Sequence, residues 1–351
     1  MKRYLILLCI IVFVPVLGLT KEIYIKALEG LNFPYPITSM VLVDLDGNGK
    51  DSLVLSVLHS GIYVYEKDGA GYWQFRYSSD SYGPDIFDIH GVDIFKDGRK
   101  GIVFRNAQGN IFVLVWDGKE FVTQWKKKAT KVIKKLIAVK NSGRFQIFFY
   151  TIDNSIYLYE FNPDLYVYYL KGDYISMPWK ITGISVLKTK DGKHLFYIVS
   201  TYDGQIQLFE DKNDTLLSIS SIRLNANVVN IISVEDSIWG YSSNKAIFGL
   251  KMNGEEKMNV DLINDYPYPV DFVYPLSKTN EFLLIGQGMS TGGYPFSHIE
   301  IVELEHGIFI NYLKTLVRYR KKLSQVLSFI PLQDGGMIGC RDGRVLRMIY
   351  K

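Results

Sequence analysis

The chain has 351 residues, 48% of them hydrophobic and 14% aromatic (25 Tyr, 20 Phe and 5 Trp). This wealth of strand-forming side chains excludes a disordered or coiled-coil protein and is ample for one extended β core. Its 40 Lys and Arg against 36 Asp and Glu leave a net charge of +4, too small for the basic footprint that a nucleic-acid partner demands.

The first element is MKRYLILLCIIVFVPVLGLTKE, in which Lys2 and Arg3 precede an apolar run, then Pro15 and the small-residue end VLG. This layout predicts a signal peptide over residues 1–18, with Val16 and Gly18 placed for cleavage, and one mature domain over 19–351. Left uncleaved, the same segment would serve as a membrane anchor, although residues 4–19 fall short of the ~20 that a spanning helix needs. A periplasmic or extracellular location follows. Cleavage removes Cys9 and leaves Cys340 alone, so no disulfide braces the mature chain; it relies on its core and on repetition.

Repetition is plain from residue 40 onward. A strand pattern recurs as GIYVYEKDG, NIFVLVWDG, SIYLYEFNPD, GQIQLFEDKND, KAIFGLKMNG, SHIEIVELEHG and GRVLRMIYK, anchored by Ile62, Ile111, Ile156, Ile206, Ile247, Ile299 and Val345. Alternating apolar residues followed by an Asp, Asn or Gly turn mark a strand entering a hairpin. Two further strands precede each copy, as in MVLVD and SLVLSVL, and a more polar one follows most of them, as in YWQFRY. Four-stranded units of ~45–50 residues, seven times over, predict an all-β, seven-bladed β-propeller. The seventh unit ends at its third strand, and EIYIKAL (22–28) is expected to supply the missing fourth, closing the ring by pairing the two chain ends.

Between the first two strands of unit one lies DLDGNGKD. Asp44, Asp46 and Asn48 fall on alternate positions, Lys50 offers a carbonyl, and Gly47 and Gly49 permit positive φ angles. With the LVL that follows, this loop resembles those of the FG-GAP/VCBS family, whose members include the integrin-alpha-type propellers. The resemblance implies one structural Ca²⁺. The family's ninth-position carboxylate is replaced by Ser52, so Asp51, one residue early, would have to take its place. Units two (Asp93 to Gly98) and four (Lys188 to Gly192) keep the Asp-Gly turn without the ligand set.

Connections between units set proline beside aromatic residues: NFPYPITS, SYGPDIF, SMPWKIT and DYPYPVDF, with the long loop GQGMSTGGYPFSH of unit six on the same face. Tyr35, Tyr82, Phe87, Trp179, Tyr268 and Tyr294 are therefore expected to ring one mouth of the channel, as rings that bind protein or glycan do. Two basic runs, WKKKATKVIKK and VRYRKK, read as solvated faces or as a surface for an acidic partner or an anionic membrane.

Catalytic motifs are absent. The histidines (59, 90, 194, 298 and 306) show no zinc spacing. There is no nucleophile elbow, and Cys340 sits within a strand. GQGMSTGG lacks the Gly-Lys-Ser/Thr of a phosphate loop. The expectation is an exported, non-enzymatic binding or assembly module of the cell envelope, meeting a protein or glycan and no nucleic acid. It touches a membrane through its leader at most. The alternative is a carbohydrate-active enzyme using two of Asp85, Asp88 and Asp271 in the channel.

Overall fold

In the computed structural model, the described residues are 22–350, apart from 84, 94–99, 142, 163–164, 166, 190–193, 213–214, 235–236, 254–256, 277–279, 308–311, 320 and 322. The leader at 1–18 lies outside them, as do the centres of the unit-two and unit-four loops. Every described element is a strand.

The strands form seven antiparallel sheets, each entered from its innermost strand. Blades 1 to 6 occupy residues 37–79, 86–128, 133–176, 181–223, 228–265 and 270–324; blade 7 combines 326–350 with the N-terminal strand Ile23–Asn32. That strand pairs antiparallel with Arg344–Tyr350, setting Ile23 opposite Tyr350 and Ile25 opposite Met348. The borrowed strand begins one residue later than expected and ends four residues later, at Asn32.

The seams between blades hold the disc together. Alternation along each strand gives every sheet two apolar faces, and each face is buried against the next blade. Seven clusters result, one per seam. Val54, Ile62 and Val64 of blade 1 meet Ile102, Phe104 and Leu114 of blade 2, and the circle ends where Met337 and Val345 of blade 7 meet Ile37 and Leu53 of blade 1. Cys340 lies in the seam between blades 6 and 7, where burial pushes its thiol up to about 12, which suits a core residue and no nucleophile.

One seam carries charge. Between blades 3 and 4 the Lys171 ammonium lies 3.0 Å from Glu160 and 2.8 Å from Asp211. Gln146 donates to both carboxylates at 2.8 Å, and Tyr197 donates to the Gln146 amide oxygen. Burial would raise the Glu160 carboxyl, but Lys171, Gln146 and Tyr169 outweigh it and hold the group below its usual range.

All seven innermost strands share a device that periodicity does not reveal. Near its start, each slips register by one residue against its neighbour, at Ile37/Ser39, Phe87/His90, Ile133/Lys135, Ile181/Gly183, Val228/Asn230, Val270/Phe272 and Val326/Ser328. A bulge of this kind bends the strand and releases one side chain from the pleat. The released residues include Thr38, Asp88, Lys134, Thr182, Val229, Asp271 and Leu327, at the end of the channel where the connectors enter.

Two outcomes follow. Replacing Ile23 and Ile25 together by Asp removes half-buried apolar surface from the closing strand and should cost about 3 kcal/mol, read as a lower Tm and early proteolysis near the N-terminus. Lys171→Met leaves the Asp211 carboxylate without its cation and Glu160 with Arg144 alone, and should cost about 3 kcal/mol in urea unfolding.

Candidate functional site

The two faces of the disc differ in chemistry. On the face opposite the connectors, the loop 44–51 is stitched to itself and to its neighbours. Asp44 accepts the backbone N–H of Asn48 at 3.0 Å and of Gly49 at 2.8 Å, and Asn48 Oδ1 accepts that of Lys50 at 2.8 Å. Asp46 turns away from them: Arg76 donates to it at 2.6 Å and the Trp116 indole at 2.9 Å. Arg76 foremost holds the Asp46 carboxyl below its usual range, against the opposing effect of burial. The same guanidinium reaches Glu66, donates to the Gly118 carbonyl at 3.1 Å, and lies 4.8 Å from the Trp116 ring centre. Arg76 thus fastens the loop to blade 2 with a fixed positive charge. Asp46 is thus engaged by partners other than those of Asp44 and Asn48, and among the described residues no three His, Cys, Asp or Glu side chains are grouped to hold a metal ion.

Asp51 and Lys50 border a groove of about 520 Å³ on this face, with Glu66, Lys67, Asp68 and Trp73. A second groove, of about 590 Å³, holds Asp44, Asp93, Lys100 and Lys140, where Lys100 pairs with Asp93 at 2.9 Å. Both grooves balance acids against lysines.

On the connector face a groove of about 780 Å³ spans blades 3, 4 and 5. Lys134, Lys180, Tyr150, Ile152, Tyr202 and Val229 line it, and no carboxylate does. Three of these residues come from innermost-strand starts or the connectors before them. Two come from the second-to-third-strand turns, which share one design. Thr151 donates its hydroxyl to Asp153 at 2.5 Å and to the Ser155 carbonyl at 3.2 Å; Thr201 does so to Asp203 at 2.6 Å and Gln205 at 3.1 Å. Ser242, Asn244 and Ala246 repeat it in blade 5. The residue after the hydroxyl stands at the tip, and it is Ile152 in blade 3 and Tyr202 in blade 4, exposed by 56% and 54%.

The expected aromatic ring is rearranged. Trp179 stands free beside the groove, 53% exposed, next to the groove residue Lys180. Tyr294 is 77% exposed on the lengthened hairpin of blade 6, and Tyr35 is exposed against His59. These three lie at separate stations round the disc. Tyr82 is a correction: it is 8% exposed, packs on Phe104 and Phe112, and donates its hydroxyl to the Phe121 carbonyl, so the blade 1–2 seam consumes it. Phe87 lies under the Arg105 guanidinium at 4.7 Å, and Tyr268 stacks on His298 at 3.7 Å; both are half-buried packing residues. In their place stand Val132, Ile152, Tyr174, Tyr202 and Val229, all exposed. Aligning the repeats turn by turn would have found Ile152 and Tyr202, whose position is Ala107 in blade 2, Ser243 in blade 5 and Arg341 in blade 7.

Inside the channel, Arg105 donates to Asp88 at 2.6 Å and the Leu136 amide adds a second bond at 3.0 Å. Asp85 pairs with His59 at 2.9 Å, so two of the three candidate acids are tied to a local partner. Asp271 accepts from Gln287; burial raises its carboxyl to about 6, against Gln287 and Lys135, which lower it. Lys135 is itself lowered by burial, with Asp88 and Asp271 acting against that. His90, bonded to the Leu136 carbonyl at 3.1 Å, is lowered by burial too. A carboxyl raised from 3.8 to about 6 on folding favours the native state below pH ~4 and loses that contribution as pH rises through 6. Asp271→Asn should therefore raise Tm by a few degrees at pH 7.5 and flatten the decline between pH 4 and 6, as pH-resolved thermal melts would record.

No family model matches the sequence, and neither does any curated protein. Solved structures do match. The Sqt1 protein of Saccharomyces cerevisiae superposes with a TM-score of 0.64 at 11% identity, over 94% of this chain and 98% of that one. The BBS1N chain, crystallised in complex with ARL6DN, superposes with a TM-score of 0.59 at 12% identity, over 93% and 95%. At such identities the likeness is one of fold, and that fold is the seven-bladed β-propeller.

Proposed function

We propose that this chain is an exported scaffold of the cell envelope that binds a protein partner through its connector face at blades 3 to 5. The observation that carries the reading is the exposed set Ile152, Trp179 and Tyr202 around a groove with lysines and no carboxylate on its walls. Apolar side chains gathered on an otherwise solvated surface mark contact sites, and large amphipathic rings carry much of the energy at such sites. Export rests on the leader at residues 1–18. Among the described residues no helix is long and apolar enough to cross a membrane. The BBS1N structure is a complex of a propeller with a protein partner, which accords with the reading. The carbohydrate-active alternative has less support, since Asp85 and Asp88 are bound to His59 and Arg105. Of the three candidate acids, Asp271 is the one whose carboxyl burial raises.

Cross-linking capture from the native envelope fraction tests this, with immobilised 19–351 as bait. The triple variant Ile152→Ser, Trp179→Ala, Tyr202→Ala should lose the captured partner by at least tenfold while its Tm stays within about 2 °C, since exposed side chains contribute little to folding. Trp73→Ala on the other face should capture normally. Equal capture by the triple variant would remove this face from the function. Capture of an oligosaccharide with the same dependence would shift the partner from protein to glycan.

A further inference from the structure

The basic run 125–135 lies where blade 2 hands over to blade 3. Lys127 and Lys128 end the outermost strand Phe121–Lys128, at the rim of the disc. Lys131 lies on the connector, Lys134 on the groove wall, and Lys135 is the next residue of the innermost strand Ile133–Asn141. The run therefore draws a line of ammonium groups from rim to channel mouth, with Lys180 on the groove's far side. Lys127, Lys128, Lys131, Lys134 and Lys180 are exposed and make no ion pair among the described residues.

Carboxylates on the same face are mostly committed. Asp153 accepts the Thr151 hydroxyl at 2.5 Å. Asp203 accepts that of Thr201 at 2.6 Å and pairs with Arg223 at 3.2 Å. Some lysines elsewhere find partners: Lys100 and Lys140 with Asp93, Lys212 with Glu210, Lys314 with Glu305. Others, such as Lys119, Lys245 and Lys257, make no ion pair among the described residues, but they are scattered; here five such lysines follow one path that ends among Ile152, Tyr202 and Val229, in a groove that no carboxylate lines.

We propose that this path receives an extended acidic segment of the protein partner, with its carboxylates on Lys131, Lys134 and Lys180 and an apolar side chain seated between Ile152 and Tyr202. The proposal rests on the connector-face reading above and specifies the partner's chemistry. A blade is four strands wide, about 15 Å from outermost to innermost strand, which an extended chain covers in about five residues. Such a segment alternates acidic and apolar side chains, because successive residues of an extended chain face opposite ways.

The probe is a fluorescein-labelled 12-residue peptide of alternating Leu and Glu, compared by fluorescence anisotropy with Leu–Gln and Leu–Lys peptides. Saturable binding of the Leu–Glu peptide is expected, weakening severalfold between 50 and 300 mM salt as screening grows. The Lys131→Glu, Lys134→Glu, Lys180→Glu variant should bind it at least tenfold more weakly. The corresponding Gln variant should fall between, and Lys50→Glu, Lys67→Glu on the other face should bind normally. Melting curves confirm that each variant is folded. Equal binding of the Leu–Gln or Leu–Lys peptide, an unaffected reversal variant, or no saturation at 1 mM would overturn the proposal. So would vesicles of phosphatidylglycerol displacing the peptide and binding with the same lysine dependence, which would make the path a lipid surface. If the captured partner depends on Trp179 and Tyr202 but not on these lysines, the connector face stands and the acidic segment falls.

Discussion

A small sheet that is apolar on both sides has no stable existence alone, and the whole architecture answers that constraint. Each of the seven seams buries one face of two successive blades, so no blade is satisfied until both neighbours are present. A row of such sheets would end in two exposed apolar faces; a ring ends in none. Closure is therefore an energetic requirement. The chain meets it by giving blade 7 its outermost strand, Ile23–Asn32, from the other end of the sequence. Folding in this design couples residue 23 to residue 350, a pairing across almost the whole length of the described chain, and the loop entropy it costs is offset by two sealed seams at once.

Closure also divides the labour among residues. The seams take in connector residues as well as strand interiors: Tyr82 joins the blade 1–2 cluster and Tyr268 packs against the blade 5–6 cluster, although their local sequences match those of Tyr35 and Trp179. Exposed turn tips such as Ile152 and Tyr202 belong to no seam cluster and are free to differ. The bulge shared by all seven innermost strands extends this freedom to the channel mouth. It releases one residue per blade from the pleat, giving Thr38, Lys134, Thr182, Val229 and Asp271 to equivalent stations in different blades.

The fold was nearly complete in the sequence because its signal is repeated. Any single degenerate copy, such as KAIFGLKMNG, is outvoted by the six that keep the alternation, and each third strand occurs at its expected place. The site was far less legible. Trp179 and Tyr294 were visible as aromatics beside proline or glycine, yet the same pattern marked Tyr82, because composition does not record which way a connector turns its ring. The bulges left no trace, since inserting one residue into a strand flips faces without altering the residue types. DLDGNGKD carries a cation-loop pattern, but it does not show that Asp46 also meets Arg76, thirty residues on in the blade's outermost strand. A partner so distant in sequence is out of reach for a motif.

Differences between equivalent positions point to function better than the motifs do. The turn-tip site is Ala107, Ser243 and Arg341 in three blades, as a solvated position should be, and Ile152 and Tyr202 in two adjacent ones. Each half-exposed apolar side chain forgoes burial at roughly 25 cal/mol per Å² and gives the seam nothing in return. The lysines of 127–134 add charge in the same quarter: Lys127, Lys128, Lys131 and Lys134 make no ion pair among the described residues, and no carboxylate lines the groove they lead to. Two kinds of unsatisfied chemistry, apolar and cationic, meet in one groove over blades 3 to 5. A ligand that is both acidic and apolar removes both deficits in one step, which a purely greasy or a purely anionic partner does not.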